Sequence, residues 1–309
     1  MKTDRFSSLN RLPELLICSL LLSLAGAVRA QQDDDVVRVN TDLVVLNVTV
    51  TDRSGQYVPG LRRSDFKIFE DGKEVPVSSL TSFSAQETPF ASVVLLDTSG
   101  SMESRLSLGR SAAIRFLDGL RDEDVAAVYK FDSKIERLQD FSGGRDLAPL
   151  AFGVKANGMT VLNDAIVKAA SLLAERPETR KAIVVLSDGM DTYSKATAEK
   201  ALDVALATGA SIYTVDMSAT DGNASRDAQS AAVLRNFAEK SGARFVSTPG
   251  GPALRDAFAT IAQELGHQYT IAYRPLNQAH DGRWRNLEVK LSRDNVTVHA
   301  RKGFRAPKK

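Results

Sequence analysis

Apolar residues follow two rhythms along this chain, and the rhythm changes twice. Between residues 36 and 83, Val37, Val39, Leu43, Val45, Leu46, Val48 and Val50 recur among polar neighbours, the near-alternating pattern of strands buried on one face. Arg53-Ser54-Gly55 supplies a turn. Asp71-Gly72, between Asp65-Phe66-Lys67-Ile68-Phe69-Glu70 and Glu74-Val75-Pro76-Val77, is a strong hairpin signal. This stretch is predicted to be β structure without a long helix. At Ala91 the pattern switches, because Ser92-Val93-Val94-Leu95-Leu96 suits a parallel strand buried on both faces. Helical faces then alternate with strands. Leu106, Ala113, Leu117 and Leu120 mark one helix; Leu162, Ala165, Ile166, Ala169 and Leu173 mark another, ended near Pro177. Further helices are predicted around Ala198 to Ala205, around Val233 and Phe237, and over 254–265, with strands at 125–131, 135–141, 182–186, 211–215 and 244–246. Such alternation predicts a doubly wound α/β unit on a mainly parallel sheet.

After Gly266 the strand rhythm returns at 269–273, 287–291 and 296–300, with a turn at His280-Asp281-Gly282. Neither β flank has enough strands to cover a sandwich core comfortably. The expectation is one discontinuous, sandwich-like β domain made of 31–88 and 266–306, carrying residues 89–265 as an insertion; a separate hairpin module at each end is the alternative.

The first thirty residues look like a targeting segment: Lys2, Arg5 and Arg11 precede the apolar run 15–28, and Val28-Arg29-Ala30 offers small residues around a cleavable bond. The run is shorter than the roughly 20 residues of a spanning helix, so cleavage after Ala30 is expected and an uncleaved anchor is the alternative. Cys18, the one cysteine, lies inside that run, which leaves the mature chain no thiol for disulfides, sulfur catalysis or soft metals. Without residues 1–30 the chain carries 36 basic and 36 acidic side chains. A neutral chain offers nucleic acid or anionic lipid no concentrated positive surface, and the basic tail 301–309 is too short to change that. Export to the periplasm, cell envelope or medium is expected, without membrane insertion after cleavage.

Ligands of open parallel sheets collect at the carboxyl ends of the strands. Three polar stretches suit that edge: Asp97-Thr98-Ser99-Gly100-Ser101, Gly158-Met159-Thr160, and Ser187-Asp188-Gly189-Met190-Asp191. Each offers only oxygen ligands. Two carboxylates meeting there would repel by about 4 kcal/mol at 4 Å in a medium of effective dielectric about 20. A hard divalent cation offsets this, with hydroxyls completing its shell, and Mg²⁺ readily keeps a position for an outside ligand. The lack of His and Cys argues against zinc, copper or iron.

Asp97-Thr98-Ser99-Gly100-Ser101 with Met102, followed by Thr160 and Asp188, resembles the metal-ion-dependent adhesion site of von Willebrand factor A domains. The resemblance spans roughly 91–265 and fills all five positions of that motif. It implies that Ser99, Ser101 and Thr160 are direct ligands of a divalent cation, with Mg²⁺ ahead of Mn²⁺ or Ca²⁺. It also implies that Asp97 and Asp188 supply carboxylates, at least one through water, and that a protein partner donates a further carboxylate. The whole sequence, including Asp65-Phe66, Glu70-Asp71-Gly72 and Arg301-Lys302-Gly303-Phe304, is also similar to a family of exported bacterial proteins named for its abundance in acidobacteria. The inserted arrangement resembles that of integrin β chains.

Other readings compete. Ser101 or Thr160 would serve equally as helix caps. Asp97 as a phosphoryl-accepting nucleophile of the haloacid dehalogenase kind needs a general acid two residues on, where Ser99 stands. A serine hydrolase lacks its nucleophile elbow. A binding protein, not an enzyme, is the expectation, with a metal-stabilised scaffold as the rival. Asp191 reads as a solvated loop acid rather than a ligand. His267, His280 and His299 read as surface or packing residues, and Trp284 as a strand residue packing the β domain.

Overall fold

The computed structural model describes residues 43–85, 88–144, 151, 153–218, 224–247 and 252–308. The expected targeting segment, Cys18 within it, and residues 31–42 of the first β flank lie outside them.

The α/β unit grows from β5 (Phe90–Asp97), a strand buried at every position. It lies parallel between β6 (Val125–Phe131) and β8 (Arg180–Ser187). On the β8 side, β9 (Ala210–Asp216) and β10 (Phe245–Ser247) continue the parallel sheet; on the other, β7 (Ile135–Ser142) closes the edge antiparallel, giving the order β10-β9-β8-β5-β6-β7. The chain leaves β5 toward one edge and returns on its other side, so the strand order reverses at β5, which opens a crevice at the carboxyl ends of β5 and β8.

Adjacent residues of one strand feed opposite cores, as the two-residue period of a strand requires. Val94, Leu96 and Val128 pack with helices α1 (Leu106–Asp118) and α5 (Pro252–Gly266) on one face. Val93, Leu95 and Ile183 pack with α2 (Leu162–Ala174), α3 (Ala198–Ala207) and α4 (Ala224–Ser241) on the other. Each such fully buried aliphatic side chain stabilises by about 1.5–3 kcal/mol, which fixes the sheet on which the strand-end loops stand. Among the described residues no helix is long and apolar enough to cross a membrane.

The flanks interleave. The first supplies β1 (Val44–Asp52), β2 (Phe66–Glu70), β3 (Lys73–Glu74) and β4 (Leu80–Ser84); the second supplies β11 (Tyr269–Tyr273), β12 (Trp284–Leu291), β13 (Val296–His299) and β14 (Gly303–Arg305). They form two antiparallel sheets, β13-β1-β11-β4 and β14-β12-β2-β3. Each sheet takes strands from both flanks. One core, including Leu46, Val48, Ile68, Tyr269, Ile271 and Leu287, is shared between them. The β2–β3 hairpin turns at Asp71 (φ 47°) and Gly72 (φ 79°), the positive dihedrals that a tight two-residue turn requires.

Two expectations need correction. The strand anticipated through Val77 stops at Glu74, and Val77–Ser79 forms a 3-10 turn entered from Pro76, whose ring has no N–H to give a ladder. Trp284 is on a strand, β12, but its ring packs against the helix-side core of the α/β unit rather than inside the β core.

The α5-to-β11 connection is pinned by Arg180, the first residue of β8. Its Nη1 donates to Leu265 O (2.8 Å) and Thr88 O (3.1 Å), its Nη2 to Gln268 O (2.6 Å) and Ala85 O (3.3 Å), and its Nε to Thr270 Oγ1 (3.4 Å). Beside it, Glu264 of α5 accepts from Thr49 and Tyr213 through Oε1 and from Arg244 through Oε2.

Candidate metal centre

At the carboxyl end of β5, Asp97 is fully buried. Its Oδ1 accepts from the Ser99 amide at 2.9 Å and its Oδ2 from Ser187 Oγ at 2.6 Å. The second bond follows from strand order: Leu96 pairs with Leu186 across β5 and β8, which sets Asp97 beside Ser187. Ser187 Oγ in turn accepts from the Gly189 amide at 3.0 Å, so one hydroxyl ties the two strand ends together. Burial pushes the Asp97 carboxyl up to about 6; hydrogen bonds from Ser187 and Ser99 oppose that, and the charge of Asp188 adds to it.

The loop after β5 turns immediately. Ser99 is nearly fully buried and Ser101 exposed, yet their hydroxyls lie 3.2 Å apart, while Met102 is buried beneath them as an apolar anchor. The segment from Gly100 to Arg105 is a 3-10 turn that precedes α1. No side-chain hydrogen bond caps that turn, α1 or α2. The capping role considered for Ser101 and Thr160 is therefore not what these hydroxyls perform.

The loop carrying Thr160 is sewn to the first one. The Gly100 amide donates to Gly158 O (3.2 Å) and the Asn157 amide to Thr98 O (2.9 Å). Gly158 has φ +79°, and a Cβ there would stand 2.5 Å from Ser133 Oγ; only glycine lets this loop pass so close. Thr160 itself is buried, its amide donating to Thr192 Oγ1 at 3.0 Å and its carbonyl accepting from the Thr192 and Tyr193 amides. Thr192 thereby joins the Thr160 loop to the one that carries Asp188. Gly189 is likewise conformationally required, with φ +78° and the Ser230 carbonyl 2.5 Å from where a Cβ would be.

Asp188 is half-buried, with Oδ1 accepting from the Met190 amide. The structure thus brings Asp97, Ser99 and Ser101 onto one loop, Asp188 onto the neighbouring strand end, and Thr160 onto a third loop hydrogen-bonded to both. Among the described residues no three His, Cys, Asp or Glu side chains gather to hold a metal ion, so hydroxyls have to take part if a cation is held here. Two carboxylates with three hydroxyls fit a hard cation, which takes oxygen ligands. The best sign of that fit is Asp97, a buried acid whose direct partners are an amide and a hydroxyl and whose charged neighbour is another acid.

Asp191 is a correction. Half-buried, it accepts from the Asn163 amide in the first turn of α2 (2.8 Å) and from the Ser194 amide (3.1 Å). It satisfies orphan donors at a helix start, so it is not a solvated acid. Ser187 was read only as part of a polar strand end, not as the partner of Asp97, and two supporting residues escaped the sequence reading: Ser133, whose Oγ accepts from the Met159 amide, and Asp132, which accepts from Thr98 Oγ1 and Lys130 Nζ. The only signal for Ser187 was its place at the end of an apolar run; the other two gave none.

Residues 92–190 match the family model of the von Willebrand factor type A domain, and the α/β unit has the mainly parallel, helix-covered sheet of that domain. No curated protein matches the chain. Among solved structures, the PilB minor pilin of Streptococcus sanguinis aligns at 16% identity with a TM-score of 0.46, over 59% of this chain and 62% of the pilin. The vWF domain of the type V pili tip protein Mfa5 of Porphyromonas gingivalis aligns at 15% identity, TM-score 0.47, over 58% of this chain and 95% of that one. A von Willebrand factor type A protein of Catenulispora acidiphila aligns at 14% identity, TM-score 0.46, over 87% and 75%.

Proposed function

We propose that this chain is an exported binding protein whose type A domain holds one divalent cation, Mg²⁺ foremost, and uses it to grip a carboxylate of a protein partner. Ser99, Ser101 and Thr160 would hold the cation through their hydroxyls, and Asp97 and Asp188 would hold it through carboxylates. The observation that carries the reading is the buried Asp97, held by a hydroxyl and an amide beside a second acid, with no basic side chain paired to it among the described residues. A hard cation supplies the missing positive charge and, with few protein carboxylates around it, retains charge to attract an acidic side chain from outside. Ser187 and the Ser99 amide orient Asp97 for that task. The exposed Ser101 and Met159 give a partner access to this edge.

The same reading treats the two β flanks as one discontinuous domain that carries the type A domain, and the chain as a relative of the exported acidobacterial family. Asp97 binds rather than reacts, since Ser99 occupies the place where a phosphoryl-transfer enzyme needs its general acid.

The test is capture from envelope extracts on the immobilised chain, with and without chelator. The expected result is a protein retained in Mg²⁺, released by chelator, and not retained by Asp97→Ala. Equal capture by wild type and Asp97→Ala would favour a scaffold whose cation site is not a contact surface. Metal-dependent phosphatase turnover abolished by Asp97→Asn would replace binding with catalysis.

A further inference from the structure

Away from the carboxyl edge, a cavity of about 310 Å³ opens between α3 and the strands of the second β flank, within the size range of small-molecule sites. Arg301 is its informative residue. The side chain is 5% exposed; Nη1 donates to Leu206 O at 2.7 Å, the guanidinium lies over the Phe304 ring, and Nε is buried with no hydrogen-bond partner. Among the described residues no carboxylate pairs with it. Burial lowers its pKa to about 10, which leaves it charged at neutral pH. A buried charge without a counter-charge is unfavourable. Arg180, also buried, is answered by five acceptors; Arg301 has one among the described residues.

The rest of the cavity complements that deficit. Arg274, exposed on the same lining, also pairs with no carboxylate among the described residues. Arg305 is already committed, donating to Asp203 Oδ2 at 2.5 Å and contacting Glu199. The other oxygen of Asp203, Oδ1, is buried and has no partner. The residues lining this cavity therefore include a buried cation with no carboxylate partner among the described residues, an acid with one unpartnered oxygen, and the apolar Leu206 and Phe304.

We propose that this cavity binds a small organic carboxylate with an apolar body and one N–H or O–H donor, the chemistry of a free apolar amino acid. Its carboxylate meets Arg301 and Arg274, whose planar forks suit two oxygens; its donor meets Asp203 Oδ1; its side chain lies against Leu206 and Phe304.

The test is calorimetric titration of the whole purified chain in chelator, which removes any contribution from the cation edge. The probes are L-leucine, L-leucinamide without the carboxylate, 4-methylpentanoate without the amine, and inorganic phosphate. Leucine is expected to bind at least about tenfold more tightly than leucinamide, with 4-methylpentanoate between them. Arg301→Met abolishes binding while the unliganded variant melts no lower than wild type, because it loses an uncompensated buried charge. Arg274→Ala, at an exposed position, weakens leucine by about threefold or more. The proposal is overturned if no probe binds, if leucinamide matches leucine, if phosphate alone binds, or if Arg301→Met leaves affinity unchanged. A lower melting temperature in unliganded Arg301→Met would make the guanidinium a structural pin and overturn it equally.

Discussion

The two ends of the six-stranded sheet treat buried charge in opposite ways. At the amino end, the two fully buried charges among the described residues, Arg180 and Asp124, are answered. Arg180 meets five acceptors, and Asp124 accepts from the Phe90 and Arg121 amides and from the Arg121 guanidinium. At the carboxyl end, Asp97 meets a hydroxyl and an amide, and its charged neighbour is another acid. The same strands, β5 and β8, begin in one environment and finish in the other. A dense polar network rigidifies what it touches, and here it touches the exit of α5 into the β strands. A site that leaves like charges facing each other sacrifices stability locally, and sites of that kind are where a ligand contributes most.

The largest expected effect comes from breaking the amino end. Arg180→Met takes this donor from the buried carbonyls of Leu265 and Gln268 and should destabilise by about 3–5 kcal/mol, read from the denaturant midpoint. A loss below about 1 kcal/mol would mean that the amino end is not the pin described. Next in size is the pH response of the carboxyl end in the chelated chain. Because the folded-state pKa of Asp97 is raised to about 6 from an ordinary 3.8, the folded form keeps its proton where the unfolded chain releases it. That contribution is present below about pH 4 and is lost as pH rises toward and through 6, a change of about 3 kcal/mol. Asp97→Asn should remove this slope, and identical pH profiles for the two proteins would contradict the assignment. Smaller again is Ser187→Ala. Without its hydroxyl, which opposes the upward shift, the slope should extend to higher pH, with stability at neutral pH lower by about 1 kcal/mol. The smallest effect is that of Asp191→Ala, which frees two amides near the start of α2 for about 1 kcal/mol or less; a changed cation stoichiometry in this variant would make Asp191 a ligand after all.

How much of this was legible follows from range. Val93 to Leu96 announced a strand buried on both faces because four adjacent apolar residues cannot share one face of a strand. The loop that follows was legible because its residues are neighbours in sequence. Ser187 was not read as a partner of Asp97, since nothing local states that β8 lies beside β5 rather than β6. Asp191 misled for the same reason: its partner amide at Asn163 is 28 positions away. Arg180, Glu264 and Gln268 form their network across the joint between the α/β unit and the β strands, and a charged residue inside an apolar pattern says only that a partner must exist. Trp284 followed the strand rhythm correctly but not the choice between two cores, because a strand has two faces and its ring serves the far one.

The central claim is that oxygens from three loops form one cation site at the carboxyl edge. Its most direct test is calorimetric titration of chelator-stripped protein with MgCl₂ at neutral pH, for wild type, Ser99→Ala and Asp188→Ala. The account predicts a single ion per chain for wild type and no measurable uptake by either variant. A wild-type chain that takes up no Mg²⁺, Mn²⁺ or Ca²⁺, or variants that bind as it does, would contradict it.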